Sequence, residues 1–301
     1  MNPPVIDISN LHYTYDGQEA VCGLNLQVAP GRCHALLGRN GAGKTTTMKC
    51  LLHLLRPQAG TVRLFGLDPA KDEVAVRSRL SYVPDAPSFY PWMSVRETLE
   101  YLASFRARWN LSRQSELLDR FSLDPGMKVT SLSKGQRTQL ALIGALAPEP
   151  DLLILDEPTS GLDPIVRREF IQTVIGAFQE GDASRRTIFV STHLIGEFEG
   201  LIDEFTLLDQ GKAILSLDAD KARERYRRIR ARFPGSVDAV DVPGGLQTRR
   251  HGREVEVIAN GDGERIIERL RAQSPESLEV EGLTLEEVFM VTANRLPKEK
   301  R

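Results

Sequence analysis

Gly38-Arg39-Asn40-Gly41-Ala42-Gly43-Lys44-Thr45-Thr46 constrains this chain more than any other stretch. It fits G-x-x-x-x-G-K-[ST], a loop whose backbone N–H groups cradle phosphate oxygens. Cys33 to Leu37, just before it, is a short apolar run that reads as a buried strand. Thr47 to Leu55, just after it, carries apolar residues at helical spacing. Strand, glycine loop and helix is the context that the motif requires. Gly41 and Gly43 let the backbone turn tightly, so that N–H groups point inward at phosphate. The start of the helix adds partial positive charge. Lys44 is placed to reach the outer phosphates of a nucleotide, and the Thr45 hydroxyl to ligate magnesium. The competing reading, a glycine turn with an unrelated lysine, leaves the flanking strand and helix unexplained.

Such a loop needs an α/β frame, and the chain supplies one. Val5 to Ile8 and Leu11 to Tyr15 read as strands around a turn, and Leu24, Leu26 and Val28 alternate with polar residues as in a half-buried strand. Thr61 to Phe65 and Leu80 to Val83 are further short strands. From Ser94 the pattern turns helical. Ser94-Val95-Arg96-Glu97 is a capping box opening a helix toward Arg108, a second helix spans about Arg113 to Phe121, and a third begins near Gly135. Asp151 to Leu155 and Thr187 to Val190 are central strands, Pro164 begins a helix, another starts near Leu194, and Glu204 to Ser216 is a hairpin around Gln210-Gly211. Alternating strands and helices with a helical insertion over about residues 86–147 make the fold class α/β.

A length of 301 residues suits one large domain or two. Composition shifts near Leu217, and residues 217–301 read as a small accessory α+β domain. Its basic run holds Arg228, Arg230 and Arg232 alternating with Ile229, Ala231 and Phe233. That is an amphipathic strand with a solvated face rather than a nucleic-acid stripe, because no aromatic platform is interleaved. A strand over Glu254 to Ala259, a helix over Gly263 to Arg271 capped by Asp262, a strand near Leu278 to Val280 and a Thr284-Leu285-Glu286-Glu287 capping box complete it. The net charge of −2 gives no global pull toward nucleic acid. Cys22, Cys33 and Cys50 lack C-x-x-C spacing and read as reduced thiols. The N-terminus shows no signal-peptide pattern, and no apolar run approaches the roughly 18 residues that span a bilayer.

Later motifs narrow the chemistry. Leu152-Leu153-Ile154-Leu155-Asp156-Glu157-Pro158 is a buried strand ending in two carboxylates. Asp156 is placed to hold magnesium, directly or through water. Glu157 is placed to orient or deprotonate a water that attacks the γ-phosphate. Upstream stands Ser131-Leu132-Ser133-Lys134-Gly135-Gln136-Arg137. Downstream stand Ser160-Gly161-Leu162-Asp163-Pro164 and Ser191-Thr192-His193.

In the order and spacing of these motifs, across about residues 5 to 215, the chain resembles the ATP-binding cassette family, the nucleotide-binding subunits of ABC transporters. The resemblance implies a P-loop ATP-binding core over residues 1–216, with an antiparallel β layer and a helical subdomain. It implies that Ser133, Gly135 and Gln136 contact the γ-phosphate of ATP held by the opposite subunit. Lys134 stands where many members have a second glycine. His193 corresponds to a histidine that contacts the γ-phosphate and positions the water, and Asp163 to a loop linking the two sites of a dimer. Tyr15 matches the aromatic that stacks on adenine, with Tyr13 as the rival. Asp85 departs from the family: it occupies the place of a glutamine that touches magnesium, so it either faces the metal or caps its loop after Pro84. Phe89, Tyr90, Trp92 and Met93 lie where the family receives a short helix of the membrane subunit.

The resemblance therefore implies an ATPase with ATP and Mg2+, working as a homodimer or as a heterodimer with a related ATPase subunit. It would drive a separate transmembrane permease, of export type, from the cytoplasmic face of the membrane, with no nucleic acid expected. A soluble ABC ATPase of translation or repair is the alternative, but translation members carry two cassettes and repair members a long coiled coil. A regulatory module without turnover is the other, and Glu157 and His193 argue against it.

Overall fold

The computed structural model describes residues 3–179, 186–237 and 244–293. The chain divides into two compact units, Met1–Ser216 and Leu217–Arg301. In the first, β1 (Ile6–Tyr15) and β2 (Gln18–Val28) precede β3 (Cys33–Gly38), the glycine loop and α1 (Lys44–Leu51). Next come β4 (Ala59–Leu64), α2 (Glu73–Arg77) and β5 (Leu80–Val83), then the helical stretch with α3 (Val95–Ala103), α4 (Leu111–Arg120) and α5 (Lys134–Leu146). The remainder is β6 (Leu152–Asp156), α6 (Pro164–Gln179), β7 (Thr187–Thr192), α7 (Ile195–Phe198), β8 (Glu204–Asp209) and β9 (Lys212–Asp218).

These strands make two sheets, an antiparallel one in the order β2-β1-β4 and a larger one in the order β5-β6-β7-β3-β8-β9. Pairing is parallel from β5 through β8. Every residue of β3, β6 and β7 is buried, as parallel strands covered on both faces must be. One apolar core joins Ile6, Ile8 and Leu24 of the antiparallel sheet, Met48 and Leu51 of α1, and Leu36, Ile154 and Phe189 of the parallel sheet. Each such burial stabilises the fold by roughly 1.5–3 kcal/mol. Because β3, β6 and β7 run the same way, their carboxyl ends deliver the glycine loop, Asp156 and His193 to one edge of the sheet.

Several expectations change in detail. The two strands expected around a turn near Ile8 are one bulged strand, β1. Asn10 sits at φ 50° and the register shifts between Ile8 and Leu11, which absorbs the irregularity without ending the strand. The helix expected to run toward Arg108 ends at Ala103, where the Arg106 guanidinium turns back to donate to the carbonyls of Arg77 and Leu80, both at 2.9 Å. The helix expected from Arg113 begins at Leu111, with the Asn110 side chain accepting from Arg113 N. The helix after Leu194 is only the short α7. The sequence signalled neither α2 nor the short helix over Ala219–Arg225 in the second unit, both too brief for a periodic pattern.

The second unit holds α8 (Ala219–Arg225), β10 (Tyr226–Arg232), β11 (Gln247–His251), β12 (Glu254–Asn260), α9 (Gly263–Arg271), β13 (Ser277–Gly282) and α10 (Leu285–Ala293). Its antiparallel sheet has the order β11-β12-β10-β13, and Ile229, Val255 and Val257 pack against Ile266, Ile267 and Leu270 of α9. The opposite face is not simply solvated. Arg228 is only 17% exposed and pairs with Glu281 at 2.9 Å, Glu287 at 2.6 Å and Glu256 at 3.5 Å. Arg230 continues the ladder with Glu256 at 3.2 Å. Asp262 precedes α9 but makes no side-chain cap; its carboxylate accepts from Asn260 N instead. The capping box at Thr284 and Glu287 is present in both directions.

Candidate nucleotide-binding site

The glycine loop joins two buried elements, and its geometry explains its composition. Gly43 has φ 101°, and a Cβ there would lie 2.3 Å from Ala20 O, so no side chain fits. Gly41, at φ 82°, makes the second left-handed turn while remaining open to the cleft. Gly38 and Ala42 are buried under the loop, whereas Arg39 and Asn40 are exposed on it. Thr47 fastens the first turn of α1 through its hydroxyl, which donates to Gly43 O at 2.9 Å.

Lys44 is only 5% exposed, and its ammonium donates to Gly38 O at 2.8 Å and to Arg39 O at 3.2 Å. Glu157 Oε1 lies 2.9 Å from the same nitrogen, an ion pair by distance without hydrogen-bond alignment. The other carboxylate oxygen, Oε2, contacts His193 Nδ1 at 2.7 Å and accepts from His193 N at 3.2 Å. Cation, carboxylate and imidazole thus form one continuous chain. Glu157 holds a left-handed conformation at φ 45°, and its N–H is held by Ser191 O and Ser191 Oγ, both at 3.0 Å.

Asp156 lies beneath them. Its Oδ1 accepts from Ser191 Oγ at 2.6 Å and from Thr45 Oγ1 at 3.1 Å. Burial pushes the Asp156 carboxyl above its ordinary value. The Ser191 and Thr45 hydroxyls oppose that rise, while the charges of Glu157 and Asp85 add to it. A buried carboxylate beside a hydroxyl, in an all-oxygen donor set, suits a hard divalent cation such as magnesium. Thr45 and Asp156 are the residues that fit it.

An open cleft of about 460 Å³ lies over this cluster, lined by Tyr15, Asn40, Lys44, Thr45, Asp85, Glu157, His193 and neighbours that include Thr46 and Ser160. That volume is in the range of small-ligand sites. Tyr15 is 43% exposed and meets Tyr13 edge-on, ring centres 4.8 Å apart, whereas Tyr13 packs on the core. Asp85 therefore faces the same space as the glycine loop.

Ser133, Gly135 and Gln136 do not line this cleft. Ser133 caps α5: its Oγ accepts from Gln136 N at 3.2 Å, and Gln136 Oε1 accepts from Ser133 N at 2.9 Å. Lys134 Nζ reaches across to Ser160 O at 2.6 Å. Asp163 caps α6, accepting at Oδ1 from Ile165 N and Val166 N, both at 3.1 Å. Two groups of residues went unassigned in the sequence. Ser191 bridges the two carboxylate residues. Glu197 pairs with Arg167 and accepts from Thr159 Oγ1 at 2.9 Å, while Arg167 also donates to Leu162 O at 3.0 Å, tying the loop after Glu157 to α7. Ser191 stood within the Ser191-Thr192-His193 motif, and a hydroxyl at the end of a buried strand was the available signal.

The family model described as ABC transporter matches residues 21–160. The chain is 34% identical over 226 residues to the bacitracin transport ATP-binding protein BcrA of Bacillus licheniformis, covering 74% of this chain and 73% of that protein. It is 36% identical over 231 residues to the daunorubicin resistance ATP-binding protein DrrA3 of Streptomyces coeruleorubidus, covering 74% and 71%. Among solved structures it is similar to the ATP-binding subunit of an ABC transporter, with a TM-score of 0.66 and 26% identity, covering 73% of this chain and 92% of that one.

Proposed function

Because this chain belongs to the ABC transporter family and is an ATPase of that family, we propose that it is the subunit whose ATP hydrolysis drives a separate membrane permease outward. The observation that carries the hydrolysis is the unbroken chain Lys44–Glu157–His193 over Thr45 and Asp156. ATP enters with its phosphates against the loop Gly38 to Thr46 and its adenine against Tyr15. Lys44 exchanges Glu157 for the outer phosphates. Glu157, released from the lysine, accepts a proton from the attacking water, and His193 holds that carboxylate in place. Thr45 and Asp156 would hold magnesium, with Asp85 alongside; when bound, the cation offsets charge on the phosphate oxygens.

Ser133, Gly135 and Gln136 act on the opposite subunit's nucleotide, in a pair of two copies or of this chain and a related one. A serine hydroxyl and the N–H groups at the start of α5 form an anion site. Asp163 lies in the loop between the two sites. Residues 217–301 act as an accessory domain, apart from the nucleotide chemistry.

Among the described residues no helix is long and apolar enough to cross a membrane, and we place the chain at the cytoplasmic face, bound to its permease. Support for a docking surface is a run of exposed rings on the helical subdomain. Tyr90 meets Trp92 at 4.9 Å and Tyr101 at 5.5 Å, and Tyr101 meets Phe105 at 5.0 Å. Contiguous apolar surface of this kind marks an interaction site. A Nod factor export ATP-binding protein of Burkholderia orbicola, 36% identical over 222 residues, supports the outward direction. The test is ATP hydrolysis by the purified chain together with co-purification from membranes with a multi-pass permease. ATPase activity that never associates with a membrane protein overturns the transport reading.

A further inference from the structure

Ser191 is fully buried near the end of β7, and it is paired directly with Asp156 at the end of β6. Directly paired residues of parallel strands project to the same side of the sheet, so the pairing itself sets the serine beside the carboxylate. A buried strand serine ordinarily satisfies its hydroxyl on a nearby main-chain carbonyl. This one does something more specific. Its O–H is spent on Asp156 Oδ1 at 2.6 Å, and its lone pair accepts the N–H of Glu157 at 3.0 Å. One hydroxyl therefore touches both residues that the hydrolysis needs, at the point where the backbone turns left-handed at Glu157.

We propose that Ser191 is a positioning residue: it fixes the rotamer of the Asp156 carboxylate and the entry of the chain into Glu157, and so sets the magnesium requirement of nucleotide binding. The proposal rests on the reading of Asp156 as a magnesium ligand. Groups that hydrogen-bond a ligating carboxylate orient it, and their loss weakens metal affinity by about 10–100-fold. Glu157 N–H keeps a second acceptor, Ser191 O, which survives any side-chain change. Asp156 Oδ1 keeps the longer Thr45 contact at 3.1 Å, from a hydroxyl that would itself turn to magnesium, so replacing the side chain strikes Asp156 harder than Glu157.

The experiment measures calorimetric binding of a non-hydrolysable ATP analogue to the full chain, with magnesium titrated and with the metal chelated. It compares wild type with Ser191→Ala, Ser191→Thr and Asp156→Asn. Ser191→Ala is expected to need about tenfold more magnesium for half-maximal tightening, with its affinity under chelation unchanged. Ser191→Thr, which keeps the hydroxyl, should follow wild type, and Asp156→Asn should shift at least as far as Ser191→Ala. If Ser191→Ala does not fold, Ser191→Cys takes its place, and its weaker donor should give an intermediate shift. A Ser191→Ala curve, or a Ser191→Cys curve where that variant stands in, that superimposes on wild type while Asp156→Asn shifts overturns the role of Ser191 alone. Superposition of all curves overturns the reading of Asp156 as well. An equal loss of affinity with and without magnesium reduces Ser191 to packing and also overturns the proposal.

Discussion

Glu157 Oε1 lies 2.9 Å from the Lys44 ammonium, so the cation that phosphates need is held by the carboxylate that the water needs. Nucleotide has to break this pair. Lys44→Ala is therefore expected to lose nearly all turnover. Glu157→Gln should bind ATP more tightly than wild type, because the lysine is no longer neutralised, yet lose turnover by roughly 10²–10⁴-fold, as removal of a general base does. It should also accumulate an ATP-bound dimer. Sizing with and without nucleotide, beside steady-state kinetics, checks both; brisk turnover by either variant contradicts the assignment.

Tyr15 and Tyr13 adjoin, but only Tyr15 lines the cleft. Tyr15→Ala should weaken ATP binding by roughly 1–3 kcal/mol with little change in melting temperature. Tyr13→Ala should do the reverse, lowering stability and leaving affinity nearly intact. Calorimetry and thermal melts on both variants separate the roles.

Lys134 is a long side chain whose ammonium donates to Ser160 O at 2.6 Å, on the loop that follows Glu157. Lys134→Ala should leave nucleotide binding unchanged and lower kcat about threefold to tenfold, in keeping with one partly exposed charge-assisted hydrogen bond. An unchanged kcat means the contact is idle during turnover.

Asp85 faces the cleft with Glu157 and raises the energy of a charged Asp156. Like charges at that spacing are tolerable while a cation is present. Asp85→Asn should shift the magnesium dependence of hydrolysis, and Asp85→Ala should weaken stimulation by the permease. Hydrolysis measured against magnesium concentration, with and without the membrane partner, gives superimposable curves if Asp85 only caps its loop.

In the second unit, the Glu287 carboxyl is held below its ordinary range. Burial raises its carboxyl, but Arg228 and the Thr284 N–H outweigh that, and the net shift is downward. A group depressed in the folded state adds stability that is complete above the ordinary carboxylate range, near pH 4.3, and is lost as pH falls through the depressed value. Arg228→Met should cost about 1–3 kcal/mol at neutral pH. It should also flatten the acid branch of the stability curve, which urea melts from pH 3 to 7 can read.

Sequence alone determined the nucleotide chemistry of this protein. The glycine loop and the strand ending in Asp156 and Glu157 are local patterns whose residue types follow from phosphate and carboxylate chemistry, whereas His193 was singled out by the family resemblance alone. Boundaries were legible at the capping boxes of Ser94 and Thr284, and were missed at Asn110, whose side chain opens α4, and after Ala103, where Arg106 folds back onto the carbonyls of Arg77 and Leu80. Tertiary structure alone decided which residues meet. Parallel pairing sets Ser191 beside Asp156, and convergence of β3, β6 and β7 puts Lys44 against Glu157, residues more than a hundred positions apart. It also turned an apparently solvated row of arginines into a cross-strand ion-pair ladder. The physical reason is common to all of these. Residue type records what a side chain can do, but burial, charge pairing and the partner of each hydroxyl depend on which strands lie side by side, and no local spacing encodes that.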